Sequence, residues 1–168
     1  MPEHKVRILH ISDIHLRGEG EREVWRRRQV LGKAWDKNLD ELLAKGPIDL
    51  VCLTGDIANT GHQDEYRQAS DFIAALRDRI GLDSSRIFVV PGNHDIALFD
   101  LWSRLVRPFA RHAAAFGQVL EPVHATDDLL VIGVNTTRPW RHKNGEVSYA
   151  QVERVATLLD AAQRRQLR

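Results

Sequence analysis

Along this chain, apolar runs of strand length alternate with stretches where apolar residues recur every three or four positions. Val6 to Ser12, Ile48 to Thr54 and Ile87 to Val90 are β-rich and mostly apolar, as buried strands are. Between the first two, Leu31, Trp35, Leu39 and Leu42 mark one face of a helix, with Trp25 as a candidate start and Gly46-Pro47 as its end. Between the second and third, Tyr66, Ala69, Ile73, Leu76 and Ile80 mark another amphipathic helix, and Gly81 is its stop. Strand, helix, strand, helix, strand in that order predicts a parallel sheet with right-handed crossovers. Val6 to Ser12 is expected to be a central strand covered on both faces, with His10 a core or sheet-face residue.

The pattern is helical again from Ile96 to Phe116, with Leu98, Leu101, Trp102 and Leu105 on one side and Pro108 placed to kink or split it. Val123 to Thr126 reads as a short strand and Leu129 to Val134 as a buried one ending at Asn135-Thr136. A polar, basic loop follows from Arg138 to Glu146. Ser148 and Gln151 have capping-box spacing, and Val152, Val155 and Leu159 give the last helix an apolar face.

Length and composition narrow the reading. A chain of 168 residues suits one domain that buries about 70% of its unfolded surface. A formal net charge of +1 gives no global argument for nucleic acid or an acidic membrane. The longest apolar runs are too short to cross a bilayer as a helix. The opening Met1-Pro2-Glu3-His4-Lys5 has no signal-peptide pattern. The single cysteine, Cys52, lies inside a strand and is expected to be a small core residue. These features point to a cytoplasmic protein.

The candidate chemistry sits at the strand ends. The first strand runs into Asp13-Ile14-His15, the second into Gly55-Asp56, and the third into Pro91-Gly92-Asn93-His94-Asp95. In open α/β sheets, ligands collect beyond the carboxyl ends of the strands, so these clusters predict one polar site. Asp13 and His15 can turn toward one ion, Asp56 has two oxygens that can bridge two ions, and Asn93 offers a carbonyl oxygen. Such an oxygen and imidazole set suits Mn²⁺, Fe or Zn²⁺. Two ions about 3.5–4 Å apart can hold a bridging hydroxide and neutralise a phosphate during in-line displacement. His94, next to a ligand, is the candidate proton donor. Asn93, His94 and Asp95 are all residues that can bind metal or move protons.

Asp13-x-His15, Gly55-Asp56 and Gly92-Asn93-His94-Asp95, in this order and each after a strand, resemble the calcineurin-like metallophosphoesterase superfamily. The resemblance covers nearly the whole chain. It implies a two-sheet α/β sandwich with a dinuclear metal site. By that likeness Asp13 and His15 hold the first metal, Asp56 bridges, Asn93 holds the second, and His94 is the general acid or a phosphate contact. Asn135-Thr136 and Gly145-Glu146-Val147 also look like the cyclic-nucleotide phosphodiesterase branch.

The chain departs from the family pattern twice. Asn59 stands where members often carry an acid that orients the catalytic histidine, so it is expected to hydrogen-bond near His94 without bringing charge. Members also continue into a histidine-ended strand and a Gly-His-x-His motif, and no His-x-His occurs here. His112, His124 and His142 lack family spacing and are expected at the surface. The resemblance therefore implies that residues 1–168 are an N-terminal portion of the domain, with a second metal site short of ligands. The second sheet would be unfinished, leaving apolar surface for a dimer or partner domain to cover.

The leading expectation is metal-dependent hydrolysis of phosphoesters, above all phosphodiesters such as cyclic nucleotides. One alternative is a nuclease of the double-strand-break repair type, whose basic groove would draw on Arg22, Arg26 to Arg28, Arg138, Arg141 and Lys143. A protein phosphatase fits less well, because Ile57 to Gly61 lacks the expected acid and arginine. The alternative from another class is a non-catalytic interaction module built on the same fold.

Overall fold

Three of the apolar runs form a parallel sheet in the order β1-β2-β3, with β1 at Ile8–Ile11, β2 at Leu50–Thr54 and β3 at Ile87–Val90. Ile8 pairs with Leu50, and Val51 pairs with Ile87. The computed structural model describes residues 5–18, 33–97, 101–126, 129–141 and 144–164. Helix α1, Lys33–Ala44, links β1 to β2, and helix α2, Gln63–Ile80, links β2 to β3. The predicted strand-helix alternation is therefore present, and Gly46-Pro47 and Gly81 stand where the two helices stop. Trp25 and Leu31 lie outside the described residues.

The core forms where both helices cover one face of this sheet. Leu39 of α1 and Ala69 and Leu76 of α2 meet Val51 and Leu53 of β2, and Leu9, Ile11, Ile87 and Val89 pack against them. Side chains alternate across a strand, so Ile8, His10, Phe88 and Val90 face the other way. A second, antiparallel sheet of β4, Val123–Ala125, and β5, Leu130–Ile132, covers the β3 side of that face. His124 packs edge-on against Phe88 with ring centroids 5.3 Å apart. The result is a two-sheet α/β sandwich, as predicted.

β1 is not the central, doubly covered strand that its apolar composition suggests. It lies at the sheet edge among the described residues, and Ile8 is 48% exposed. His10 is exposed too, and its Nε2 meets Thr54 Oγ1 at 2.6 Å. Central position belongs to β2, whose Val51 and Leu53 are fully buried. Cys52, the single cysteine, is half-buried rather than in the core, because it points to the thinly covered face.

The second half is more open than its pattern implies. Pro108 splits the helical stretch as expected, into α3, Leu101–Val106, and α4, Ala110–Phe116. Trp102 and Leu105 of α3 are 76% and 68% exposed, so the expected apolar face is not a buried one, and Leu98 lies outside the described residues. β5, expected to be buried, is only half-buried along its length. Helix α5, Tyr149–Arg164, begins at the predicted cap: Gln151 Oε1 accepts from the Ser148 amide at 2.8 Å, and Ser148 Oγ accepts from the Gln151 amide at 3.2 Å. Val152 and Leu159 of that helix are exposed, contrary to the expected packing. His112 reverses another expectation. It is 1% exposed, packed between Tyr66 and Phe116 where α4 lies on α2. His124 is half-buried, and His142 lies outside the described residues.

Candidate metal centre

Beyond the sheet, the loops after β1 and β2 continue side by side. Asp13 donates its amide to the Gly55 carbonyl (3.2 Å), His15 to Asp56 (2.9 Å) and Leu16 to Ile57 (2.8 Å), while the Asn59 amide returns to Leu16 (2.9 Å). The rim loop Ile57 to Gly61 is thus anchored, and Ile57 and Ala58 are buried. Asp13, His15 and Asp56 hold left-handed backbone angles, φ 56°, 48° and 52°. For residues with a Cβ this conformation costs on the order of 1 kcal/mol or more. Glycine would relieve the strain but would remove three polar side chains from one place.

Two glycines let the β2 and β3 ends touch. A Cβ on Gly55 would lie 2.8 Å from the Gly92 Cα, and a Cβ on Gly92 would overlap Asp56 Oδ1 and the Asp56 amide nitrogen. With both absent, Asp56 Oδ1 accepts the His94 amide at 3.0 Å. That bond holds Asp56 and His94 in one frame.

Asp95 locks the frame from behind. Its carboxylate, 1% exposed, accepts from the amides of Ala58 (2.8 Å), Gly92 (2.8 Å) and Ile57 (3.4 Å). Burial pushes its carboxyl up to about 6, and the three amide donors pull against that shift. All three partners are donors, so the acceptor-only ionised form satisfies them. Asp95 is therefore a knot between loops rather than a ligand or proton carrier. The spacing Gly92-x-x-Asp95, that of a capping turn, was the signal for this role.

His15, Asp56 and His94 converge. One ligand-type atom from each lies within 4.8 Å of the others, the one such cluster among the described residues. His15 Nε2 is 3.9 Å from Asp56 Oδ2, and the two imidazoles meet edge to face with centroids 4.8 Å apart. Asp13 and Asn93 line a cleft beside Asp56, and Asp13 is not in that three-residue cluster. His94 Nδ1 meets the main-chain carbonyl of Asn59 at 2.7 Å. The expected Asn59 contact with His94 thus runs through the backbone, so the side chain at 59 does not set it.

The residues fit a divalent cation. Among the described residues, the buried His15 Nδ1 has no hydrogen-bond partner, an arrangement that leaves a ring nitrogen unsatisfied. The His15 imidazole and the Asp56 carboxylate, with the Asp13 carboxylate and the Asn93 amide oxygen lining the cleft beside Asp56, form a mixed nitrogen and oxygen donor set that transition ions prefer, and the His94 imidazole stands next to it.

The opposite wall comes from the end of β5 and the loop after it, and the cleft between has a volume of about 380 Å³. A polar network stiffens this wall. Asn135 is buried and accepts from the amide and hydroxyl of Thr137. Gln151 donates to the Asn135 carbonyl (2.7 Å) and to Glu121, which also takes the Asn135 amide (2.9 Å). Arg154 reaches Glu121 from the same helix, at 3.3 Å to Oε2. Sequence reasoning saw Gln151 as a cap alone. Its second role follows from where α5 lands, which local spacing does not encode.

Three curated relatives resemble parts of this chain. A metallophosphoesterase-like protein of Bacillus subtilis is 32% identical over 94 residues, 55% of this chain and 18% of its own length. A probable cyclic nucleotide phosphodiesterase of Coxiella burnetii is 27% identical over 96 residues, 56% of this chain and 34% of its own. A cAMP/cGMP dual specificity phosphodiesterase of Mycobacterium tuberculosis is 29% identical over 151 residues, 86% of this chain and 42% of its own. The chain thus spans less than half the length of each. Residues 6–157 match the model of the calcineurin-like phosphoesterases, and the chain belongs to that family.

Proposed function

We propose that this chain carries the metal-binding half of a phosphodiester hydrolase site, with cyclic nucleotides among the substrates to test first. The observation that carries the reading is the convergence of His15, Asp56 and His94 at the ends of adjacent strands. The family is one that binds divalent metals, and two of the relatives are named as cyclic nucleotide phosphodiesterases.

In this reading Asp13, His15, Asp56 and Asn93 would hold the divalent ions, and Asp56, with two carboxylate oxygens, would be shared by them. Bound metal would supply positive charge to the phosphoryl oxygens and acidify the attacking water. The residues do the rest. Asp13 and Asp56 alone would repel an anionic substrate, so the cleft accepts phosphate only when that charge is offset. His94 donates Nδ1–H to the Asn59 carbonyl, which orients the ring and leaves Nε2 as the nitrogen that delivers a proton to the departing oxygen. The Asp56 bond to the His94 amide keeps donor and metal site in register.

The test is hydrolysis of bis-p-nitrophenyl phosphate with added Mn²⁺. Turnover that disappears with a chelator and in Asp56→Ala supports the reading. Absence of turnover at any Mn²⁺ concentration, with no Mn²⁺ bound either, contradicts it. Cleavage of single-stranded DNA in preference to cyclic AMP would redirect it to a nuclease.

A further inference from the structure

Two arginines, Arg138 and Arg141, line the wall that faces Asp13, Asp56 and Asn93. They are employed differently. Arg138 commits both terminal nitrogens to the protein: Nη1 to the carbonyls of Asn135 (3.2 Å) and Thr137 (2.9 Å), and Nη2 to Gln151 Oε1 (2.8 Å). These contacts build the wall, and a substrate could not take Arg138 without dismantling it. Arg141 instead pairs with Glu146, Nη1 to Oε2 at 3.2 Å, and the two side chains are 50% and 46% exposed. Ion pairs this exposed are weak and exchangeable.

The root of Arg141 is nonetheless fixed. Its amide donates to the Arg138 carbonyl at 3.1 Å, and Pro139 in the same turn accepts from Arg104 Nε. Glu146 is fixed in turn, its amide donating to Thr136 at 2.8 Å. A held stem, a replaceable partner and a head at the cleft describe an anion-binding arginine waiting for its anion. A guanidinium fork matches two oxygens of a phosphate, and such pairs are stronger than an exposed carboxylate contact.

We propose that Arg141 is the residue of this cleft that binds the non-bridging oxygens of the substrate phosphodiester, and that Glu146 competes with substrate for it. This rests on the phosphodiesterase reading of the cleft. Glu146 then sets substrate affinity from outside the metal cluster.

Two readouts test it. The first is bis-p-nitrophenyl phosphate turnover with Mn²⁺ in Arg141→Ala, Arg141→Lys and Glu146→Gln. Losing a charge-assisted contact predicts a KM about tenfold or more higher in Arg141→Ala, with a smaller change in kcat. Arg141→Lys should recover part of that loss, and Glu146→Gln should lower KM. The second needs no turnover: the indole N–H resonance of Trp140, the residue before Arg141, is followed by NMR as inorganic phosphate is added with Mg²⁺. It should shift in the wild type and not in Arg141→Ala. Turnover with KM unchanged in Arg141→Ala overturns the proposal and leaves the hydrolase reading standing. A phosphate response that depends on Arg141, in a protein with neither turnover nor bound Mn²⁺, supports the proposal and removes the hydrolase reading. A wild type whose Trp140 signal ignores phosphate overturns it.

Discussion

His112 gives the sharpest stability prediction. It is 1% exposed, and among the described residues neither ring nitrogen has a hydrogen-bond partner. Burial lowers its pKa from 6.5 to about 4. The folded chain therefore keeps the ring neutral while the unfolded chain protonates it as pH falls below 6.5. The unfolded state binds more protons in that window, so stability falls with acid from about pH 6.5 to about 4 and no further. That gap, at about 1.4 kcal/mol per pH unit, amounts to about 3 kcal/mol. His112→Leu removes this pH dependence. It also removes buried, unsatisfied nitrogens worth about 1–3 kcal/mol, against lost ring contacts with Tyr66 and Phe116 worth about 0.5–1.5 kcal/mol. The variant should be equal to or slightly more stable than wild type near pH 7.5. Urea denaturation at pH 7.5 and 4.5 reads the difference. Wild type should lose about 2–3 kcal/mol more than His112→Leu between the two. Parallel losses in both proteins would mean that the imidazole is paired or solvated, and the reasoning would fail.

Two further changes probe the frame of the site. Gly92→Ala places a Cβ on Asp56 Oδ1 and the Asp56 amide, so the strand ends must part. We expect it to fold with a penalty of about 1–3 kcal/mol and to lose Mn²⁺ binding, seen by thermal melting and calorimetric titration; wild-type affinity would contradict the close-approach argument. Asp95→Ala strands the amides of Ile57, Ala58 and Gly92. Urea denaturation should show about 3–5 kcal/mol lost, in the range for a buried charge network broken on one side, and a loss under about 1 kcal/mol would count against the knot.

How far the sequence could be read depended on how local the cause was. Strand ends, helix stops at Gly81 and Gly46-Pro47, the Pro108 break and the Ser148–Gln151 cap all arise within a few residues, and each stands where expected. The clustering of Asp13, Asp56 and Asn93 at one cleft follows from parallel strands, which fix where successive carboxyl ends point. What failed was burial. Val152, Leu159, Trp102 and Leu105 have helical spacing yet face outward, because periodicity names an apolar face without supplying what covers it. His112 looked like a surface histidine since nothing adjacent in sequence reveals that Tyr66, forty-six positions earlier, closes over it. β1 is apolar enough for a central strand, but strand order is set by crossovers and not by composition.

The proposed function stands on His15, Asp56 and their neighbours holding a divalent metal. Direct Mn²⁺ titration, counting bound ion by loss of the free Mn²⁺ paramagnetic resonance signal, tests it without relying on turnover. Saturable binding is expected, weakened about tenfold or more by Asp56→Asn, as loss of a ligating charge should do, and unchanged by Asp71→Asn on the exposed side of α2. No bound Mn²⁺, or binding equal in wild type and Asp56→Asn, would contradict it.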